Sequence, residues 1–175
     1  MAILTKAPRG TQDVLPEQSA KWQHVEKTAM KVAELFGFKE IRFPTFEHTE
    51  LFTRSIGEDT DVVGKEMYTF LDKGNRSITL KAEGTAPVAR SFVENALDAC
   101  SLPLKMYYIT PVFRYENPQK GRLREHHQFG VEVYGGDTAY LDFEVINLAY
   151  TLLCNFGVKD LILKINNIGC PECRK

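Results

Sequence analysis

The sequence predicts an α+β domain in which helices flank a mainly antiparallel sheet. Strand-like runs come in pairs joined by turn residues, and helical segments break them up without the strand–helix–strand alternation of a parallel sheet. Neither Gly-x-x-x-x-Gly-Lys-Ser/Thr nor Gly-x-Gly-x-x-Gly occurs in the 175 residues. Any nucleotide would therefore be held by side chains on a sheet surface, not by a glycine-rich phosphate loop.

The elements follow in order. Pro8 to Asp13 is turn chemistry, and the stretch from Leu15-Pro16 to Phe36 places Trp22, Val25, Ala29, Val32, Ala33 and Phe36 at helical spacing. Gly37 sits where a left-handed cap ends that helix, and Phe38 to Phe43 alternates as a strand before Pro44. A short helix is expected over Thr49 to Ile56. Glu66 to Phe70 and Ser77 to Leu80 then form a hairpin around Asp72-Lys73-Gly74-Asn75. Gly84-Thr85 opens a helix to about Leu97, with Pro87 in its first turn. Leu104 to Tyr115 and His127 to Tyr134, rich in aromatic and β-branched residues, make a long hairpin whose charged loop is Glu116 to His126. Asp137 or Thr138 caps a last helix to Asn155, Gly157 ends it, and Leu161 to Ile165 reads as a final strand.

Composition bounds the function. The chain is 43% hydrophobic and 26% charged, which suits one domain with a real core. Lys plus Arg number 22 against 23 Asp plus Glu, so a net charge of -1 offers no global attraction to nucleic acid, and any RNA contact must be a local patch. No run approaches the ~18 apolar residues that span a bilayer. Met1 to Gly10 has no apolar core of the signal-peptide kind, so a soluble cytoplasmic protein without a membrane partner is expected. Cys100 and Cys154 lie in apolar, helix-associated surroundings and are expected to act as small buried hydrophobes.

The long hairpin holds the chemistry. By parity Gln128, Gly130, Glu132 and Tyr134 share one strand face, and Phe129, Val131 and Val133 share the other. The second face is core. The first reads either as a pocket floor, with Gly130 allowing a ligand to approach the sheet, or as a half-buried sheet meeting solvent. Arg114 could project beside Gln128 and offer a planar charged fork to a phosphate or carboxylate, although cross-strand register is not readable from sequence. Lys120, Arg122 and Arg124 cluster at the tip against Glu116 and Glu125, which suits a polyphosphate or simply a solvated loop.

The run from Phe113 to Glu132, Phe-Arg-Tyr-Glu-Asn-Pro-Gln-Lys-Gly-Arg-Leu-Arg-Glu-His-His-Gln-Phe-Gly-Val-Glu, resembles the second signature motif of class II aminoacyl-tRNA synthetases in its histidyl form. Leu80 to Ala86 is similar to that family's amino-acid-binding segment, and Phe38 to Gly57 to its first, dimer-forming motif. Pro8 to Asp13 and Asp61 to Tyr68 match as well, so the likeness covers essentially the whole chain. It implies that Glu83, Thr85 and Gln128 hold the amino group of histidine and that Glu132 faces its imidazole. Arg114 would be catalytic, holding the α-phosphate of ATP and the histidine carboxylate. Glu116 and His126 would meet the adenine, and Arg122 and Arg124 the β- and γ-phosphates with Mg²⁺. The implied partners are histidine, ATP, tRNA-His and a second copy of the chain. The implied reaction forms histidyl-adenylate and passes histidine to tRNA.

Three departures qualify the likeness. Ala82 stands where the family usually has Pro, and His126 where it usually has a Phe that stacks on adenine. The family's third motif and anticodon-binding domain are absent from the 175 residues. The resemblance therefore implies a truncated class II synthetase-like catalytic domain over residues 1–175, with little or no aminoacylation activity alone. Cys170-Pro171-Glu172-Cys173 is half of a zinc site, and a thiol pair without metal is the alternative. The synthetase-like regulatory subunit of ATP phosphoribosyltransferase, a histidine sensor, is the rival class. Intact Arg114, Glu116, Arg122 and Arg124 favour the enzyme, and a merely dimerising domain has no use for Glu83, Thr85, Gln128 and Glu132.

Overall fold

The computed structural model describes residues 5–56 and 66–166. Its elements in chain order are α1 (Pro16–Leu35), β1 (Lys39–Glu40), β2 (Phe46–His48), α2 (Thr49–Ile56), β3 (Thr69–Leu71), β4 (Ser77–Leu80), α3 (Thr85–Glu94), β5 (Leu104–Phe113), β6 (Glu125–Tyr134) and α4 (Ala139–Asn155). They build two three-stranded sheets, ordered β1-β5-β6 and β2-β4-β3. Every pairing is antiparallel except β1 with β5. Among the described residues no helix is long and apolar enough to cross a membrane.

Local chemistry sets most boundaries. Pro16 opens α1, where its missing N–H costs no helical bond. At the other end Gly37 takes φ +79°, and the N–H groups of Gly37 and Phe38 close back onto the carbonyls of Glu34 and Ala33 at 3.0 Å each. The same closure ends α4, where Gly157 is also at φ +79° and Val158 bonds back to Leu153. Only a residue tolerant of the left-handed region fits there without strain. Between β3 and β4, the Asp72 carboxylate accepts the N–H groups of Gly74 and Arg76 at 2.8 and 2.9 Å and locks the turn.

Several boundaries differ from the sequence-based expectation. The strand expected over Phe38 to Phe43 forms a ladder only at Lys39–Glu40. After Ile41 donates to Tyr107 the chain leaves β5, because Phe43 turns to pack edge-on against Tyr108, ring centroids 5.3 Å apart, and Pro44 has no N–H to give. The strand expected from Glu66 begins only at Thr69: the Tyr68 carbonyl still accepts Leu80 N–H at 3.0 Å, but the Glu66 carbonyl accepts Tyr115 N–H at 2.6 Å instead. α3 stops before Leu97 because Ala96 adopts φ +49°. The run Leu161 to Ile165 is not a strand: it joins no ladder among the described residues, and Ile162 and Ile165 are 82% and 75% exposed. Cys100 and Cys154 are exposed, contrary to the expected burial. Cys154 falls on the outer side of α4, where Tyr140, Phe143, Tyr150 and Leu153 are exposed too.

The main core lies on one face of the β5–β6 hairpin. Tyr107, Ile109, Phe129, Val131 and Val133 pack there against Ala29, Val32 and Ala33 of α1 and Leu148 and Leu152 of α4. On the opposite face Met106 and Tyr108 meet Val88 of α3, with Ile41, Phe43 and Tyr134 around them. Burying side chains of this size contributes roughly 1.5–3 kcal/mol each. The second cluster covers only part of its face, and the uncovered part carries the polar side chains.

Candidate active site

The ladder register decides which residues share that face. Leu104 pairs with Tyr134, Met106 with Glu132, Tyr108 with Gly130 and Thr110 with Gln128, so one stripe runs through all eight. Facing it is the connector from Lys81 to Gly84, which joins β4 to α3. Its backbone is tied to both sheets: Lys81 donates to Thr45 and accepts from Phe113, at 3.0 and 2.9 Å. Lys81 itself is 2% exposed, and burial lowers its ammonium pKa, although Glu47 opposes the shift. Glu47, also buried, accepts Arg90 of α3 at 2.7 Å and fastens the helix to β2.

The four residues expected to hold an amino acid converge on this connector. Gln128 Oε1 accepts Gly84 N–H at 3.1 Å. The Glu83 carboxylate accepts the N–H groups of Thr85 and Ala86 at 2.5 and 2.8 Å, so it caps α3, where the helix dipole favours an anion. Thr85 Oγ1 donates to Glu132 Oε1 at 2.8 Å. Burial raises the Glu132 carboxyl pKa, with a smaller push from Glu83, and the Thr85 hydroxyl opposes it.

Arg114 joins the group by a different route from the one anticipated. It does not lie across the ladder from Gln128, which faces Thr110. It stands just past the end of β5, donating its backbone N–H to Arg124 and its Nε to the Ala82 carbonyl at 2.8 Å. Arg114 and Gln128 thus meet on two ends of the same connector, Ala82 and Gly84.

The hairpin loop forms a second, adjoining cluster. Glu116 is buried and ion-paired with Arg122. The Arg124 guanidinium lies 3.8 Å from the centre of the Tyr115 ring, and its Nε donates to the Glu116 carbonyl at 3.1 Å. Gln119 and Arg122 exchange backbone bonds at 3.1 and 2.9 Å around Lys120 and Gly121. The N-terminal turn reaches this cluster, because Gly10 accepts the N–H of Arg124 at 2.7 Å. A side chain on Gly10 would run into Arg124, the Cβ lying 2.7 Å from Arg124 Cγ, and φ there is +87°. His126 is half-buried, and burial, then the Arg114 charge, lower its pKa, which favours the neutral imidazole.

One expectation is overturned. The space over Gly130 does not receive a ligand: a Cβ there would lie 2.2 Å from Tyr108 Cζ, and one on Gly84 would lie 2.3 Å from the same ring. Both glycines are empty to admit Tyr108. Sequence reasoning missed Tyr108, which depends on register, the Gly10 contact, whose partner is more than a hundred residues away, and Tyr115, whose ring contacts depend on how the hairpin loop folds. Cys170 and Cys173, and most of the segment from Asp61 to Met67, lie outside the described residues. Among those residues no three His, Cys, Asp or Glu side chains are grouped to hold a metal ion.

An antiparallel hairpin with an arginine at the end of one strand, carboxylates against the strand–helix connector and a cation-rich loop, backed by two helices, is the class II aminoacyl-tRNA synthetase type of fold. The family model for histidyl-tRNA synthetase matches residues 10–171. A histidine–tRNA ligase of Alkaliphilus oremlandii is 64% identical over 98% of this chain, and one of a Thermoanaerobacter species is 62% identical over 99% of it. Each match covers 41% of the relative, so the chain spans about two-fifths of those proteins. The crystal structure of apo S. aureus histidyl-tRNA synthetase superposes with a TM-score of 0.76 at 42% identity, covering 89% of this chain and 36% of that one. A Bacillus halodurans C structure described as an ATP phosphoribosyltransferase regulatory subunit/histidyl-tRNA synthetase gives 0.77 at 27%, covering 91% and 40%. The chain belongs to the histidyl-tRNA synthetase family.

Proposed function

We propose that residues 1–175 supply the histidine pocket and part of the ATP site of a histidine–tRNA ligase, as a partial catalytic domain carrying the first two signature motifs. One observation supports this above the others: Glu83, Thr85, Gln128, Glu132 and Arg114 all bond to, or lie in, the stretch from Ala82 to Thr85 or to each other. Glu83, Thr85 and Gln128 present oxygens suited to an ammonium group. Glu132 offers a desolvated carboxylate to an imidazole N–H, an arrangement that rejects side chains lacking the donor.

In this reading Arg114 neutralises the histidine carboxylate and the α-phosphate together. The carboxylate oxygen attacks the α-phosphorus, pyrophosphate leaves, and histidine then passes to the terminal ribose of tRNA-His. No protein nucleophile takes part; positioning and charge neutralisation carry the step. Arg122 and Arg124 exchange their present contacts with Glu116 and Tyr115 for the outer phosphates, and His126 and Glu116 meet the adenine. Mg²⁺ would be held by the phosphates together with one or two carboxylates and would offset the phosphate charge. The homodimer and a cytoplasmic location go with the same reading. The histidine-sensor alternative leaves the arginine set without a task.

Calorimetric titration with histidine, with and without ATP and Mg²⁺, tests the pocket: selective binding that Glu132→Ala abolishes is expected. In the full-length ligase, Arg114→Ala should lower ATP–pyrophosphate exchange by at least a hundredfold, matching loss of about 3 kcal/mol of transition-state stabilisation. Near-normal exchange would refute the assignment.

A further inference from the structure

Resting on the histidine-pocket reading, we infer that Tyr108 is a positioning residue which, with Thr85, fixes Glu132 Oε1 from two sides and leaves Oε2 as the atom that meets the ligand. The Thr85 hydroxyl approaches Oε1 at 2.8 Å and the Tyr108 hydroxyl approaches the same oxygen at 3.5 Å. Among the described residues no donor reaches Oε2. A carboxylate held by one oxygen has its second oxygen aimed, and aim is what discrimination between imidazole and other flat side chains requires.

The fold is built around this ring. Tyr108 is 5% exposed and threads between the backbones of Gly84 and Gly130, where either glycine with a Cβ would collide with it. Phe43 closes one side edge-on. A phenylalanine would fill that slot equally well, so packing alone leaves the buried hydroxyl without a purpose. Burial pushes the Tyr108 hydroxyl up to about 12, so it stays a donor throughout the neutral range. The ionisable groups that face Glu132 are Glu83 from the connector, Tyr108 from β5 and Tyr134 along β6.

The test is Tyr108→Phe, which keeps the ring and removes one donor. Carboxyl carbon NMR, with the Glu132 signal assigned by its disappearance in Glu132→Gln, follows the side chain directly and needs no ligand. The Glu132 midpoint should rise by about one pH unit in Tyr108→Phe, since a donor to a carboxylate favours its charged form. An unchanged midpoint with unchanged folding would overturn the inference. Histidine titration reads the parent hypothesis separately: binding unaffected by Glu132→Gln would refute the pocket, whatever the Glu132 midpoint does in Tyr108→Phe. If the pocket stands, the acid limb of histidine affinity shifts toward neutral pH in Tyr108→Phe by the amount that NMR records.

Discussion

Replacing Glu83 by alanine would act on stability before it acted on any ligand. Its two carboxylate oxygens take the N–H groups of Thr85 and Ala86, two of the donors that a helix leaves unpaired at its start. Loss of such a cap costs about 1 kcal/mol, and loss of the anion at the positive end of the helix dipole adds roughly 0.3–1 kcal/mol. The connector moves with it, because Gly84 hangs on Gln128 and Ala82 on Arg114. A total of about 1–2 kcal/mol is therefore expected, and a domain of this size loses about 2–4 °C in melting temperature per kcal/mol. Urea titration followed by far-ultraviolet circular dichroism measures it at constant m-value. Glu83→Gln separates the roles, since its one remaining oxygen keeps one cap bond while the charge that would attract an ammonium is gone. A midpoint for Glu83→Ala equal to that of the parent chain would sink the capping argument.

Two further outcomes follow from the same face. Gly130→Ala should destabilise the chain by about 1–3 kcal/mol, because its methyl carbon falls 2.2 Å from Tyr108 Cζ and the ring has Gly84 behind it; an unchanged melting temperature would show that the ring can move. Glu132 has a carboxyl pKa raised above the ordinary value of 4.5, so the folded chain holds that proton more tightly than the unfolded one. Its contribution is then fully favourable below 4.5 and is lost as pH rises through the folded value. Glu132→Gln should be the more stable protein at neutral pH, with the advantage vanishing in acid, as measured by urea midpoints across pH; a constant difference at all pH values would contradict it.

What could be read from the sequence was local. Gly37 and Gly157 announce helix ends because a left-handed residue is a property of one position. The alternation from Gln128 to Tyr134 assigned the two faces of β6, since side-chain direction in a strand needs only parity. Register needs the partner strand. Tyr108 was therefore invisible as the occupant of the gap at Gly130, and the place of Arg114 beside Gln128 was left open, where the register puts Thr110 opposite Gln128 and Arg114 on the Ala82 carbonyl. Composition also misled at Cys154, where an apolar stretch of helix suggested burial and the outer side of α4 is exposed.

That outer side has a colloidal consequence. Tyr140, Phe143 and Tyr150 stand 78%, 59% and 50% exposed, and beyond the helix Ile162 and Ile165 stand 82% and 75% exposed. β6 is the last strand of its sheet among the described residues, so its outer backbone groups face no ladder. Exposed aromatics and an open strand edge are each adhesive, and a net charge of -1 supplies almost no repulsion to keep molecules apart. Light scattering should climb with protein concentration and peak near pH 6.4, so binding data for this chain are best collected dilute and well above that pH.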